Sequence, residues 1–593
     1  MNYNRFKTIL LPCVAMAGAI ALTGCTDSDY DFNNIDATVG IGGDGLTLPV
    51  NSTDTIKLAD VLELENSDCV VEEPNGDYVF KQEGENVDPV YPQIDKITVS
   101  KTEAPEEGEI VLHVAPAAGG YTVSASGNAQ SFKYSGDKPE EVKSLSTVGT
   151  SGNINLNVTF PQELGSACSS IKQLSITLPA YMQLGDISSS SAYTVDGSRL
   201  VFTNVPTNRT LTVNANVTGF NIKAEDKSLG SITLDDAAYK INMTGQIKVD
   251  VTADINSSAA ANVDGKRIRS TLDMGDIVIN NARGVFAPEI TLNDLGTVDV
   301  TGVPDFLDDN EVYIDLYNPI IKLSVSNDMA VNGIIDGTVT SYKDGDVIKS
   351  IELKNIPINC STVSGQPRMT NVYICRHPEA LNLGEGDVSM QVDDLSELIK
   401  RVPDQITFTA SARADQSTES YFEFGKKYEV KPAYSFEAPI TFAENAKIVY
   451  KDTLDGWNDD IKDFDLSEGA KIEFNTTIEN RVPAYLNLEV KAIDANGNEM
   501  SDDEIKVEVS TEVLASAKEG QSAETPLAVV VTEGTQGAFK RLDGLTFRVA
   551  AAAQSSEGGK TPVTGQTLNA RKHFLIARDI TVKFVGKIIG DFN

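Results

Sequence analysis

The chain has 593 residues, with 49 Lys and Arg against 86 Asp and Glu, three histidines, six cysteines and one tryptophan. A formal charge of -37 excludes a nucleic-acid partner, whose phosphates need Lys and Arg neutralisation, and a basic patch adsorbed on anionic lipid. With 41% apolar and 23% charged residues the composition is that of folded domains rather than an acidic disordered tail, and the length predicts about three to five domains.

The amino terminus reads as an export signal. Arg5 and Lys7 precede an apolar run from Ile9 to Leu22, too short for a membrane span but suited to a signal-peptide core. The run closes on Leu22-Thr23-Gly24-Cys25, which resembles the bacterial lipobox. That resemblance implies cleavage before Cys25 by signal peptidase II, a diacylglyceryl group on its sulfur, and acylation of the new amine by a palmitate-type chain. Two or more acyl chains hold a protein stably on a bilayer without spanning it. Next, Thr26-Asp27-Ser28-Asp29-Tyr30-Asp31 alternates carboxylates, and resembles the acidic export signal of Bacteroidota surface lipoproteins. The same residues also read as a plain solvated tether. An EF-hand is excluded, because Phe32 stands where its glycine should be and Thr38 where its glutamate should be. No later run approaches about 18 consecutive apolar residues. The expectation is a signal peptide over 1–24 and a lipidated tether over 25–45. The protein would then be held on the outer membrane, at the cell surface or otherwise on its periplasmic face.

From there strand signals dominate. Residues 46–94, from Leu46-Thr47-Leu48-Pro49 to Tyr78-Val79-Phe80, form a small β unit too short to bury much core of its own. Residues 95–269 hold a longer set with a period of two, as at Ile154, Leu156, Val158 and Phe160, or Ile247, Val249, Val251 and Ala253. The period returns at Ile321, Leu323 and Val325, at Ile472, Phe474 and Ile478, and at Leu486, Leu488 and Val490. Half-buried strands of this kind belong to antiparallel sheets with one solvated face. Turns at Pro74-Asn75-Gly76, Lys343-Asp344-Gly345 and Asp494-Ala495-Asn496-Gly497 separate them. The predicted class is all-β, with tandem antiparallel, immunoglobulin-like β-sandwich domains and one or two short helices. One helix is expected at Asp394–Arg401, with Asp394 as cap, Glu397 at the capping-box position and Val402-Pro403 as the stop. A second short turn is possible around Asp455 to Asp465.

An internal repeat organises the carboxyl half. Phe286-Ala287-Pro288-Glu289-Ile290-Thr291-Leu292 parallels Phe436-Glu437-Ala438-Pro439-Ile440-Thr441-Phe442, and the strand ending at Asn327 parallels that ending at Asn480. The hairpin turns at Gly345 and Gly497 follow in the same order, at an offset of about 150 residues throughout. Two related sandwiches are expected, over 270–415 and 416–593.

Candidate chemistry is sparse. Beyond Cys13 in the signal and Cys25, an even four cysteines remain in an exported chain. Cys360 with Cys375 would close a short loop, Cys69 with Cys168 would join the first two units, and four buried free thiols are the alternative. Cys375-Arg376-His377 offers metal-ligand types, but with no paired spacing and no evident fourth ligand a zinc site is not expected. Gly559-Lys560-Thr561 imitates a phosphate loop, yet Gln554 replaces its first glycine and Pro562 follows where a helix should start. Trp457 beside Asp455, Asp459, Asp460, Asp463 and Asp465 is the most suggestive cluster, able to stack on a sugar or to hold calcium. A core tryptophan flanked by solvated acids fits the same residues. Asp54-Thr55-Ile56 and Asp452-Thr453-Leu454 resemble the Bacteroidota O-glycosylation sequon, which would place sugars on Thr55 and Thr453.

No catalytic constellation, metal or cofactor is expected. The leading expectation is a non-catalytic lipoprotein presenting its domains for adhesion, assembly or structural support, with a protein or glycan partner. The first alternative is a glycan-binding lipoprotein of a polysaccharide-uptake system. The second is a glycoside hydrolase using two carboxylates.

Overall fold

Strand pairing divides the molecule into three antiparallel sandwiches, and the chain visits them in an order its sequence does not announce. The computed structural model describes residues 39–590, except 50–51, 54, 59–69, 85–86, 104–106, 293–295, 302–306, 308–310, 364, 459–461, 463–464 and 467–468. The protein is all-β, and its apolar alternation does what the period of two requires. The strand Asn153–Thr159 buries Ile154, Leu156 and Val158 and exposes the residues between, and Leu211–Asn221 and Lys240–Ile255 repeat the pattern.

The first sandwich covers 97–286, and its strands belong to a 16-stranded sheet among the described residues. Its spine is the pair Gly120–Asp137 and Lys240–Ile255, which runs from Asp137 opposite Lys240 to Tyr121 opposite Ile255 with one register shift, between Ile247 and Lys248. The second sandwich packs the sheet Gly296–Asp299, Gln405–Ala414, Gly333–Lys343, Asp346–Ile358 on a sheet built around Arg368–Cys375, Ile320–Asn327 and Val430–Pro439. In the third, Lys447–Leu454, Leu542–Ala552 and Tyr485–Asp494 pack on a sheet holding Phe574–Gly590, Lys471–Asn480, Ala523–Glu533 and Ile505–Val509. Among the described residues the pair Arg368–Cys375 and Val388–Gln391 runs parallel, while the other ladders are antiparallel.

The second and third sandwiches are structural copies, and two buried asparagines prove the correspondence. Asn327 donates through Nδ2 to the carbonyls of Val331 and Asn359, both at 3.1 Å, and accepts at Oδ1 from the Met329 N–H at 3.0 Å. Asn480 donates to the carbonyls of Ala484 (3.1 Å) and Leu514 (2.8 Å) and accepts from the Val482 N–H at 2.7 Å. The Thr370 hydroxyl accepts from the Asn359 N–H as that of Thr525 does from Leu514. Ser361 and Ser516 each tie two carbonyls of the loop that follows. Each asparagine satisfies three backbone groups where the strand stops and the chain crosses to the other sheet, groups that would otherwise be buried unpaired.

The amino-terminal segment belongs to no unit of its own. Val39–Pro49 pairs along the last strand of the third sandwich, from Val39 opposite Gly590 to Pro49 opposite Thr581, and Ile56–Lys57 pairs with the same strand at Leu575 and Phe574. Tyr78–Glu83 then pairs with Val430–Pro439 of the second sandwich. The chain therefore passes the third and second sandwiches, builds the first, and returns through the second to the third. The small unit expected over 46–94 is distributed accordingly, because strands this short find their partners on existing sheet edges.

Two boundaries also move. Arg267–Met274 and Ile277–Phe286 pair inside the first sheet, so the division expected at 270 falls within it. Val430–Pro439 is the last strand of the second sandwich, not an early strand of the third, as the division at 416 would have it. The Phe286 and Phe436 motifs lie on the strands that end successive sandwiches, Ile277–Phe286 and Val430–Pro439. The helix expected at Asp394–Arg401 is a short 3-10 helix over Leu395–Ile399. Asp394 makes no side-chain cap there, and Glu397 accepts from the Tyr313 hydroxyl (3.1 Å) and Lys400 (3.2 Å) instead. Two short α-helices, Gln162–Ala167 and Ala260–Val263, lie in the first sandwich. No helix among the described residues is long and apolar enough to cross a membrane.

Replacing Asn480 or Asn327 by Ala should cost about 2–4 kcal/mol each, since three buried backbone groups lose their partner. Urea unfolding of each variant measures this, and the near-equality of the two losses tests the structural equivalence.

Candidate functional site

The tryptophan cluster resolves into core. Trp457 is 6% exposed and packs with Leu454, Ala470, Val490, Ile505, Phe539 and Leu542 inside the third sandwich. Its indole face is therefore not available to stack on a sugar. The turn around it is set by Asp543, whose carboxylate accepts from the N–H groups of Gly456 (3.2 Å) and Asn458 (2.9 Å), while the Asp543 carbonyl takes the Trp457 N–H at 2.8 Å. Of the neighbouring acids, Asp455 is exposed, Asp465 contributes backbone pairing to Ile589, and Asp459, Asp460 and Asp463 lie outside the described residues.

Cys168, Cys360 and Cys375 are free thiols, and Cys69 lies outside the described residues. The expected Cys360–Cys375 bridge fails on reach. The Asn359 N–H donates to the Thr370 hydroxyl at 3.0 Å, five residues along the strand from Cys375. At about 3.3 Å per residue that sets Cys360 roughly 16 Å from Cys375, well beyond the ~7 Å limit between bridged Cα atoms. Burial pushes the Cys375 and Cys168 thiols above their ordinary titration.

Arg376 and His377 serve the joint between the second and third sandwiches. Arg376 donates to Asp315 Oδ1 and the Leu316 carbonyl, each at 2.9 Å, and Asp315 Oδ2 accepts from Asn445 across the joint. His377 stacks on Tyr317 with ring centroids 4.2 Å apart and meets Glu379 through Nδ1 at 2.9 Å. Among the described residues no three His, Cys, Asp or Glu side chains converge as a metal site. Lys560 is held by Glu557 at 2.9 Å in a loop that Glu512 fastens through Ser555 and Ser556, so the phosphate-loop mimic is a clamped turn.

A shallow groove of about 320 Å³ lies at the same joint, lined by Glu73, Asn75, Asp77, Pro439 and Thr567 among others. Both Asp77 oxygens are occupied, by Asn569 Nδ2 (2.8 Å) and Asn75 Nδ2 (2.7 Å). Where pairing moves a carboxylate it moves it down: Arg267 holds Glu109, and Ser522 with Arg578 holds Glu479, below the usual range.

His573 completes this joint. It is 4% exposed, and its Nδ1 accepts the Asn569 N–H at 3.0 Å, while Asn569 reaches Asp77 and the Asn75 carbonyl. Burial pushes its titration down to about 4, against the opposing pull of Glu519 and Asp77. No local motif marks Asp543, Asn569 or His573, since each acts on backbone brought close by sheet topology.

Thr55 and Thr453 are both exposed, the first just before Ile56–Lys57 and the second on Lys447–Leu454. Cys25 lies outside the described residues.

One surface stands apart in composition. On the outer face of the first sandwich, Asn153, Asn155 and Asn157 lie opposite Asn216, Asn214 and Thr212. Asn155 Nδ2 donates to Asn214 Oδ1 (2.7 Å), Asn157 Nδ2 to Asn155 Oδ1 (2.8 Å) and the Thr212 hydroxyl to Asn157 Oδ1 (2.9 Å). Charge flanks this two-strand ladder on both sides: Asn216 Nδ2 donates to Asp186 Oδ2 at 3.3 Å, and Asp273 lies opposite Asn155 on the next strand.

No family model matches the chain, and no curated protein does. A presumed secreted protein of Parabacteroides distasonis ATCC 8503 is similar at 16% identity and a TM-score of 0.33, over 51% of this chain and 89% of that one. A capsid structure of infectious bursal disease virus is similar at 9% identity and a TM-score of 0.16, over 84% and 83%. Scores this low carry no inference about what this chain does.

Two outcomes follow from this geometry. Trp457→Ala should cost about 3–5 kcal/mol of stability in urea unfolding, as a core truncation does. His573 binds its proton more readily in the unfolded chain, near 6.5, than in the folded one, near 4. Stability should therefore fall as the pH drops from about 7 towards 4, by at most roughly 3 kcal/mol from this group. His573→Asn, which keeps an acceptor near the Nδ1 position, should flatten that part of the stability–pH curve.

Proposed function

We propose that the protein is an exported, lipid-anchored surface protein without catalytic activity, whose sandwiches hold the 97–286 unit outward for contact with a partner. The observation that carries this reading is the seat of the amino-terminal segment. Val39–Pro49 is bound along the last strand of the third sandwich, so a tether reaching back to Cys25 leaves from that sandwich. About 14 residues separate Cys25 from Val39, which gives a reach of at most ~50 Å.

The units then follow in line. The third joins the second through the Asp315–Arg376–Asn445 contacts, the Tyr313–Lys447 bridge and the salt bridge of Glu311 with Lys451. The second joins the first through Ser420–Glu423 on Ile277–Phe286 and through Lys223 with Glu419 at 2.5 Å. Backbone pairing across both joints favours a stiff mount over a string of loosely linked modules. Arg376, His377, Lys560, Asp543 and His573 are each engaged in holding loops or joints, which supports a presenting role. Sugars on Thr55 and Thr453, both exposed near the tether end, fit the same reading.

Three measurements test it. Cys25→Ala should release the protein from membranes into the soluble fraction; retention there would overturn the anchor. Protease shaving of intact cells should remove the chain, and survival until the outer membrane is broken would assign it to the periplasmic face. With the lipidated protein on vesicles, a dye at residue 195 should transfer less energy to a lipid-borne acceptor than a dye at residue 497. The reverse order would overturn the proposed orientation.

A further inference from the structure

We infer that the edge of Phe574–Gly590 accepts the amino-terminal strand of a second copy, so that two molecules join by exchanging Val39–Pro49 and the Ile56–Lys57 pairing that follows it. Site and ligand both stand on this chain. The ladder within one molecule, from Val39 opposite Gly590 to Pro49 opposite Thr581, gives the register an exchanged strand would take. Backbone hydrogen bonds do not depend on which molecule supplies them, so exchange of an identical element keeps every contact of the seat.

Two equivalent edges are covered by strands of different kinds. On the second sandwich, Tyr78–Glu83 lies between Val430–Pro439 and Val70–Glu72. It buries Tyr78 and Phe80, and the Phe80 ring meets Phe436 edge-on with centroids 5.8 Å apart. Packing locks that strand. Val39–Pro49 has a partner strand on one side alone among the described residues, and four of its eleven residues are glycine. Glycine brings no side chain to pack and gives up the most conformational freedom on ordering. The ladder also shifts register between Gly43 and Leu46. The seat is therefore specific in its pairing and weak in its hold, and such a terminal strand opens at a lower free energy than the sheet it covers. Each opening leaves the outer side of Phe574–Gly590 with unpaired N–H and C=O groups.

Chain order and charge both fit a second copy as the donor. Thr53 bonds Ala577 across a sequence separation of 524 residues, and closing so long a loop during assembly narrows the advantage of a molecule's own strand over a neighbour's. Residues 26–56 carry six aspartates and no lysine or arginine. Phe574–Gly590 and its inner neighbour Lys471–Asn480 together carry four cations against three carboxylates, two of which, Glu473 and Glu479, pair with Lys583 and Arg578. These strands do not share the acid excess of the molecule, so an acidic segment approaches them without repulsion. A charge of -37 opposes docking two copies face to face, and exchange needs no such docking. The chain from Leu58 to Val70 reaches at most about 40 Å, which lets one strand cross while the bodies stay apart.

The chain without its first 25 residues tests this independently of the anchor. One copy carries Thr47→Cys and the other Lys583→Cys, positions that face each other across the ladder, and the two are co-expressed and oxidised. A disulfide between these positions then needs two molecules, because neither chain holds both. Exchange predicts a reducible dimer in the co-expressed pair, and none above the background of the native cysteines in either variant alone. Thr47→Cys and Lys583→Cys in one chain should link within molecules as well as between them, which verifies the register. Gly40→Cys, which lies opposite Ile589, should not link to Lys583→Cys. If the single-chain double variant links internally and the co-expressed pair forms no dimer, exchange is overturned. A Gly40→Cys dimer of equal yield reports random collision and overturns it too. No link in any variant overturns the pairing itself, and the inference with it. Retention of Cys25→Ala on membranes would overturn only the anchor and leave this result standing.

Discussion

The strand Phe574–Gly590 is the constraint on which the rest depends. It is 17 residues long, pairs on one side with Lys471–Asn480, and would present a long row of unpaired N–H and C=O groups on the other. Such an edge invites pairing with another chain. The protein covers it with its own first strands, Val39–Pro49 and Ile56–Lys57. The second sandwich solves the same problem in the same way, laying Tyr78–Glu83 along Val430–Pro439. One amino-terminal segment thus closes two edges, and the contacts that close them are among the longest-range in the chain. Folding must wait for both ends of the polypeptide, which predicts slow, non-local assembly rather than growth domain by domain.

Closing edges this way concentrates polar burial at the joints. The turn Asn75-Gly76-Asp77 is pinned by Asn569, and Gly76 has a φ of 91° with Asn569 Oδ1 only 2.9 Å from where a Cβ would sit. A side chain at that position would be strained twice, by backbone and by contact. His573 holds Asn569 from behind, and the neutral imidazole is what the buried N–H requires. The acid sensitivity of the joint is thus a consequence of its architecture, because the same burial that aligns Asn569 excludes the charged ring.

Local patterning carried much of this fold and none of its closure. Alternation at Ile154 to Phe160 and at Ile247 to Ala253 reports one buried face, and one buried face is what a sandwich strand has. The repeat was legible for a physical reason as well. Asn327 and Asn480 end their strands at a crossover that only a side chain with two donors and an acceptor can satisfy, so the residue recurs with the geometry. Partner choice left no such trace. Nothing in Val39–Pro49 names Phe574–Gly590, and Phe436 reads equally well as opening one sandwich or ending another. Trp457 stayed ambiguous in the sequence because acids flank a core indole as readily as a sugar-binding one, and packing decides for core. The cysteine pair misled because 14 intervening residues sound close, whereas an extended strand carries its ends far apart.

The amide ladder was overlooked in the sequence for the opposite reason. Alternation marks Ile154, Leu156 and Val158 as the buried set and says of the residues between them only that they point the other way. In an antiparallel pair, filler on one strand stands beside filler on the next, so two unremarkable runs of Asn and Thr combine into a lattice only when the register is known. The same holds for charge. A total of -37 describes the molecule as a whole and conceals how it is laid out: the amide-bearing strands lie between Asp186, which accepts from Asn216, and Asp273, which stands opposite Asn155. An acidic coat keeps the protein soluble and apart from its copies and from anionic polymers.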